Sequence, residues 1–211
     1  MKHLILSFIF FALCFNLYAQ RSLFNQKYES LSSDFELSES ELDEYRNQGK
    51  LEIFNAEKHK TRLASQLLKM REGKKKKVDR GYYQLNYEIL SKQEIPHYRV
   101  RYIYIDKSKF ESEQKFEAYL DKVRRLLENT AFKSVAMQYS MDYKKGVGGD
   151  SGWFKQGKTD PNFFSGATSN NRLAEEIFEF EIAQNNAYYF VQKTHAPTDI
   201  TEVLVLQTKT D

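Results

Sequence analysis

The sequence predicts an α+β fold for the C-terminal half of the chain: a strand, three helices and a closing antiparallel sheet, behind a mainly helical N-terminal extension. Three observations carry this. His97–Asp106, HYRVRYIYID, has the Tyr, Val and Ile density of a strand. Phe116, Tyr119, Leu120, Val123 and Leu127 then recur at the spacing of a one-faced helix, and Phe132, Val135, Ala136 and Tyr139 repeat that stripe. Between the second stripe and the next short strand, at Trp153-Phe154, lie the closely spaced glycines of GVGGDSGWF, residues 146–154.

The elements follow in order. Residues 1–19 read as a secretory signal peptide: Lys2 gives a positive start, Leu4 to Phe15 is a short apolar run, and Leu17-Tyr18-Ala19 ends it, with cleavage expected after Ala19. Cys14 follows Leu13, where a lipobox would carry a small residue. Residues 20–95 form the N-terminal extension. Ser38-Glu-Ser-Glu41 has the form of a capping box, and Leu51, Phe54, Leu63, Leu67 and Met70 recur at near-helical spacing. Lys74 to Lys77 read as a solvated loop or, more sharply, as an anchor for anionic lipid headgroups or an acidic partner. Tyr83, Leu85, Tyr87 and Ile89 alternate with polar residues, which predicts a strand within 82–90. Pro96 marks the boundary, and residues 96–211 are expected to form one α/β domain. In it, 155–171 reads as a polar loop, Leu173, Ala174, Ile177 and Phe178 as a third helix, and Tyr188–Gln192 and Val203–Leu206 as the final strands.

Composition narrows the chemistry. Cys14 is the single cysteine of 211 residues and leaves with the signal peptide, so disulfides, thiolate metal sites and a cysteine nucleophile are excluded from the mature chain. The formal charge of +3, lowered by one with loss of Lys2, does not suggest nucleic acid as a partner. The abundance of Lys, Asn, Tyr and Phe fits a bacterial chain, and export then places it in the periplasm.

The string Gly149-Asp150-Ser151-Gly152 also surrounds the nucleophile of chymotrypsin-like proteases. Such a serine needs a histidine base oriented by a carboxylate. His59, His97 and His195 stand in no such context, and Trp153 replaces the glycine that would shape the oxyanion loop. A phosphate loop fails as well, because Asp150 and not Lys follows the glycines. Asp142, Asp150 and a histidine could hold a metal, but carboxylates beside glycines are more often turn residues that bond their own backbone. The segment reads as a helix-to-strand turn, with no metal and no cofactor expected.

Order and motifs together resemble the parvulin family of peptidyl-prolyl cis–trans isomerases. Phe132-Lys-Ser-Val-Ala136-Met-Gln-Tyr-Ser140-Met-Asp142 is similar to the family's Phe-x-x-x-Ala-x-x-x-Ser-x-Asp, and Gly148-Gly149-Asp150-Ser151-Gly152-Trp153-Phe154 to its Gly-Gly-Asp-Leu-Gly-Trp-Phe. Ala174-Glu-Glu-Ile177-Phe178 echoes its Ala-Val-Phe helix, and the resemblance covers about residues 97 to 208. It implies catalysis of X-Pro isomerisation without cofactor, on a site of two histidines, a Cys or Asp, and an apolar groove. Carried over, the first-strand histidine becomes Tyr102, the Cys/Asp position is Asp142, and the last-strand histidine of Gly-Tyr-His aligns with Glu202. The groove leucine becomes Ser151 and its methionine Thr159. Phe154, Phe163 and Leu173 are the remaining substrate-binding candidates, the latter two as alternatives for the groove phenylalanine. Two apolar contacts worth about 1.5–3 kcal/mol each when buried are thus made polar. The resemblance implies a periplasmic isomerase or foldase for exported or outer-membrane proteins, with unfolded or proline-containing polypeptides as clients. The alternative is a non-catalytic chaperone or docking subunit of an envelope secretion or assembly complex.

Overall fold

A computed structural model describes residues 31–169 and 173–210; the signal peptide expected over 1–19 lies outside them. The chain divides into two compact units, one of residues up to Ile95 together with Ile200 onward, the other Pro96–Asp199.

In the first unit, α1 (Glu39–Gln48) starts at the expected capping box: Ser38 Oγ accepts the Glu41 amide and the Glu41 carboxylate accepts the Ser38 amide. Then come β1 (Lys50–Asn55), α2 (Arg62–Lys69, capped by Thr61), β2 (Lys75–Asp79) and β3 (Gln84–His97). The N-terminal region therefore carries helices as expected, and three strands besides. Leu51 and Phe54 belong to a strand, not to the helix of Leu67, because β1 pairs along its whole length with the last strand of the chain. Lys75–Lys77 are likewise strand and not loop, paired with Glu88–Asn86 of β3. The strand expected within 82–90 runs through Pro96 to His97.

The last strand, labelled below as β7 (Thr198–Thr210), corrects the expected boundary. It lies between β1 and β3 in a four-stranded sheet of order β1-β7-β3-β2, so residues 200–210 complete the first unit and not the isomerase-like one. Its run Glu202–Leu206 is buried throughout, as in a strand covered on both faces. Leu67, Tyr87, Ile89, Val203 and Val205 form the core on one face, and Leu31, Phe35, Leu42 and Leu204 that on the other.

The second unit begins with β4 (Val100–Asp106), then α3 (Glu113–Asn129) and α4 (Phe132–Tyr139), as the sequence predicts. A 3₁₀ turn at Tyr143–Val147 leads into the glycine segment. The next two elements differ from expectation. α5 spans Pro161–Thr168 inside the expected loop, and Ile177 and Phe178, expected in a helix with Leu173 and Ala174, open strand β5 (Ile177–Ile182). Asp160 accepts the Asn162 and Phe163 amides and Pro161 occupies the first turn, a strong helix start. The run Phe-Glu-Phe-Glu-Ile over 178–182 alternates with period two and buries Phe178 and Ile182. β6 (Ala187–Lys193) completes a sheet of order β4-β6-β5. One face packs Ile103, Ile105 and Phe190 against Phe116, Leu120 and Val123 of α3 and Phe132 and Val135 of α4. The other packs Val100, Phe178, Ile182 and Val191 against Phe154 and against Phe163 and Ala167 of α5.

Candidate functional site

The glycine segment is built onto the free edge of β4. Phe154 pairs with Tyr98 through both backbone bonds (2.8 and 2.9 Å), the Tyr102 amide donates to the Gly149 carbonyl at 2.9 Å, and the Ser151 amide donates to the Val100 carbonyl at 3.0 Å. Gly149 has φ +76, and a Cβ there would lie 2.2 Å from the Tyr102 carbonyl oxygen, so only glycine lets the turn approach this closely. Asp150 locks the turn: it accepts two bonds from Arg99 (2.9 and 2.5 Å) and the Gly152 amide at 2.9 Å. The Arg99 guanidinium holds the Asp150 carboxyl down at about 2. The motif that resembles a protease elbow is thus a backbone device. Ser151 Oγ accepts the Val100 amide at 3.0 Å and donates to its neighbour's carbonyl at 2.7 Å, which commits the hydroxyl to the turn. Among the described residues no group of three His, Cys, Asp or Glu is placed to hold a metal ion.

The turn positions Tyr102, and Tyr102 meets Asp142. The phenol donates to Asp142 Oδ2 at 2.7 Å. Ser140, buried at the end of α4, donates to Asp142 Oδ1 at 2.8 Å and accepts the Tyr104 amide at 3.1 Å, so the carboxylate is fixed from both oxygens and tied to β4. Burial first, and then the bond to Asp142, push the Tyr102 phenol far above the usual tyrosine range.

Above this pair lies an aromatic cluster. The Tyr102 ring sits 5.3 Å from Phe163 and 5.9 Å from Tyr189, and Tyr189 lies 5.0 Å from Phe163, 5.5 Å from Tyr104 and 5.3 Å from Phe180. Phe154 reaches Phe163 at 6.0 Å. Tyr189, in contact with Tyr102 and Phe163, is not among the site residues expected from the sequence. β6 is the central strand and pairs with β4 so that Tyr189 lies opposite Tyr104, and Ala187-Tyr188-Tyr189 at its start resembles the family's Gly-Tyr-His. Burial raises the Tyr189 phenol to about 12, with the charges of Tyr104, Asp160 and Asp142 adding to the effect. The signal lies in Asn186-Ala187-Tyr188-Tyr189, whereas the sequence pattern points to residues 203–206 as the closing strand.

Two expected site residues fall elsewhere. Glu202 is on β7 in the first unit, buried and accepting the Asn55 side-chain amide at 2.6 Å, because its strand belongs to the other sheet. Leu173 is 77% exposed, in a turn and not a helix, and forms no wall. Of the two candidates for the groove phenylalanine, Phe163 is the one in the aromatic cluster; it lies four residues beyond Thr159, whose hydroxyl oxygen is buried without a hydrogen-bond partner among the described residues.

A three-stranded antiparallel sheet between a helix pair and a single helix, edged by a Gly-Gly-Asp turn that presents a Tyr–Asp pair, defines a small α+β isomerase-type domain. The sequence profile of the PPIC-type PPIase domain matches residues 83–192, just over half of the chain, and the chain belongs to that peptidyl-prolyl isomerase family. Among solved structures, the chain is similar to PrsA from Bacillus subtilis at 22% identity and a TM-score of 0.37; the match covers 47% of this chain and 35% of that one. No curated protein matches. Among the described residues no helix is long and apolar enough to cross a membrane.

Proposed function

We propose that the chain is an exported foldase of the bacterial envelope whose second unit binds X-Pro segments of client polypeptides and speeds their cis–trans exchange. The observation that carries this reading is the Tyr102–Asp142 hydrogen bond, with Tyr189 facing it across Phe163. The barrier of about 18–20 kcal/mol arises from amide resonance, lost as the bond twists. The uncatalysed exchange takes tens to hundreds of seconds, long enough to limit folding. Both phenols stay protonated at any physiological pH; the single Tyr102 proton is committed to Asp142, which leaves the Tyr189 hydroxyl as the donor toward a client. As the amide twists, the lone pair returns to its nitrogen and the carbonyl oxygen loses negative charge, so a fixed donor to that nitrogen beside aromatic walls can favour the twisted form over the planar one. No covalent intermediate is required.

A second reading has its own observation. Phe163 is only 7% exposed, covered by Tyr102, Tyr189 and Phe154, and the Tyr102 hydroxyl is engaged with Asp142. That suits a domain that holds clients without turning them over, as a chaperone or a docking subunit of envelope secretion or assembly machinery. A proline-peptide isomerisation assay, run beside NMR titration of the same peptide, separates the two. Rate enhancement that falls at least tenfold in Asp142→Ala supports the isomerase. Binding without enhancement supports the holdase, and absence of both would overturn the assignment of this face as the client site.

A further inference from the structure

The β2–β3 hairpin of the first unit carries a surface feature that prolyl isomerisation does not use. Lys74, Lys75, Lys76 and Lys77 lead along edge strand β2, and Arg80 stands in the connecting turn. Lys209 joins them from the end of β7, its ammonium 4.9 Å from the centre of the Tyr83 ring. The Asn86 side chain donates to Thr210 Oγ1 at 3.1 Å, which fixes the end of β7 against this hairpin. Among the described residues, Glu88 pairs with Lys75 at 2.9 Å, and Asp79 accepts the Gly81 amide at 2.7 Å. Among the described residues, six cations therefore stand with Glu88 and Asp79 at one corner of the sheet.

The tip is aromatic. The Arg80 amide donates to the Tyr83 carbonyl at 2.9 Å and Gly81 takes φ +84, so the turn is hydrogen-bonded across its base. At its apex Tyr82 is 98% exposed. Lysines on an edge strand are a known protection against strand-to-strand aggregation. That role accounts for β2, but it does not need Arg80 and Lys209, and it is poorly served by a fully exposed tyrosine.

We propose that this hairpin docks the protein on an anionic lipid surface, with Tyr82 at headgroup depth and the cations over the phosphates. Tyrosine is favoured at the membrane–water interface, where its ring and hydroxyl meet different media. A row of cations along an extended strand gains from a plane of negative charge whatever the register, whereas an acidic polypeptide would have to match it. The inference is independent of the prolyl site in the second unit.

The full chain is tested by co-sedimentation with phosphatidylcholine vesicles and with vesicles containing about one third phosphatidylglycerol. The apolar run at residues 4–15 can enter both, so the readout is the increment due to negative charge. Each cation near such a surface is worth about fivefold in binding. Lys76→Gln with Lys77→Gln should lower that increment at least tenfold, Arg80→Gln with Lys209→Gln should act in the same direction, and Tyr82→Ala should weaken binding without changing its salt dependence. All of these positions are outside the candidate site, and unchanged prolyl-site behaviour with unchanged urea midpoints confirms intact folds. Equal binding to neutral and anionic vesicles, or anionic binding indifferent to both double variants, overturns the proposal. So does retention on immobilised polyglutamate without any vesicle increment, which would assign the hairpin to an acidic protein.

Discussion

Gly149→Ala should destabilise the second unit far more than Gly152→Ala. Both glycines have positive φ, +76 and +69, and an alanine pays about 1–2 kcal/mol for that conformation at either position. The surroundings differ. At Gly152 an added Cβ meets nothing within 4 Å, so the backbone term is the whole cost. At Gly149 it would sit 2.2 Å from the Tyr102 carbonyl oxygen and 3.1 Å from the Tyr102 carbonyl carbon and amide nitrogen. These are backbone atoms of β4 in a sheet, which cannot swing aside as a side chain would. Overpacking of this kind costs about 1–3 kcal/mol more, for a total of about 2–5 kcal/mol. Against a stability of about 5–15 kcal/mol this is a large share. Trp153, the single tryptophan of the chain, lies in the same segment and reports its unfolding by fluorescence in urea. Relief of the clash by lifting the turn would break the Tyr102 amide bond to Gly149 and shift Tyr102 against Asp142, so client binding should fall with stability. Equal urea midpoints for the two variants would refute the reasoning, because they would show that the turn does not press on β4.

Three further outcomes are expected. Asp150 is held down at about 2 by Arg99, so its contribution to stability is complete above the ordinary carboxylate range near 4 and is lost as pH falls through about 2. The thermal-midpoint gap between the wild type and Asp150→Asn should accordingly be widest near neutrality and close between pH 4 and 2. Thr159→Val removes a buried hydroxyl oxygen that lacks a partner among the described residues and should raise stability by about 1 kcal/mol in urea titration; a loss would mean that the oxygen is satisfied in solution. Because the Tyr189 phenol ionises only near 12 and the Tyr102 phenol higher still, isomerisation should be independent of pH from about 6 to 9, and Tyr189→Phe should lower the rate without altering that flat profile.

What the sequence shows and what it hides divide along physical lines. The Ser38 capping box, the stripe from Phe116 to Val123 and the glycine turn are local devices: each works through residues within a few positions of one another, and each stands where the pattern puts it. β1 and β7 depend on each other across about 150 residues, from the Lys50↔Gln207 to the Asn55↔Glu202 pair, and nothing near Leu51 announces that pairing. The Phe-Glu-Phe-Glu-Ile alternation of β5 was legible, but Leu173 and Ala174 drew Ile177 and Phe178 into a helical spacing. The helix expected at 173–178 and the closing strand expected at 203–206 together place Glu202, and not Tyr189, among the expected site residues.

Correcting that residue changes the character of the site. With Glu202, the aromatic first-strand position would have faced a second carboxylate beside Asp142, a pairing of like charges that raises one pKa and calls for a shared proton. On the proposed reading the site has one carboxylate, Asp142, and two phenols, Tyr102 and Tyr189, standing for the two histidines of the family. A histidine pair can exchange protons near neutrality, whereas buried phenols cannot. The turn that carries the family resemblance is preserved for a separate reason, since Gly149, Asp150 and Arg99 hold β4 in place whatever stands at 102. Scaffold and chemistry are therefore free to diverge here: the backbone that presents the site is constrained by a clash of 2.2 Å, and the side chains it presents by the 2.7 Å Tyr102–Asp142 hydrogen bond and by packing among rings 5.0–6.0 Å apart. A Tyr102→His with Tyr189→His double variant fits that logic. It should fold, since the turn is untouched, and introduce a pH dependence near 6.5 in binding or turnover that the wild type lacks; a variant that folds but keeps a flat profile would show that these two positions do not meet the client.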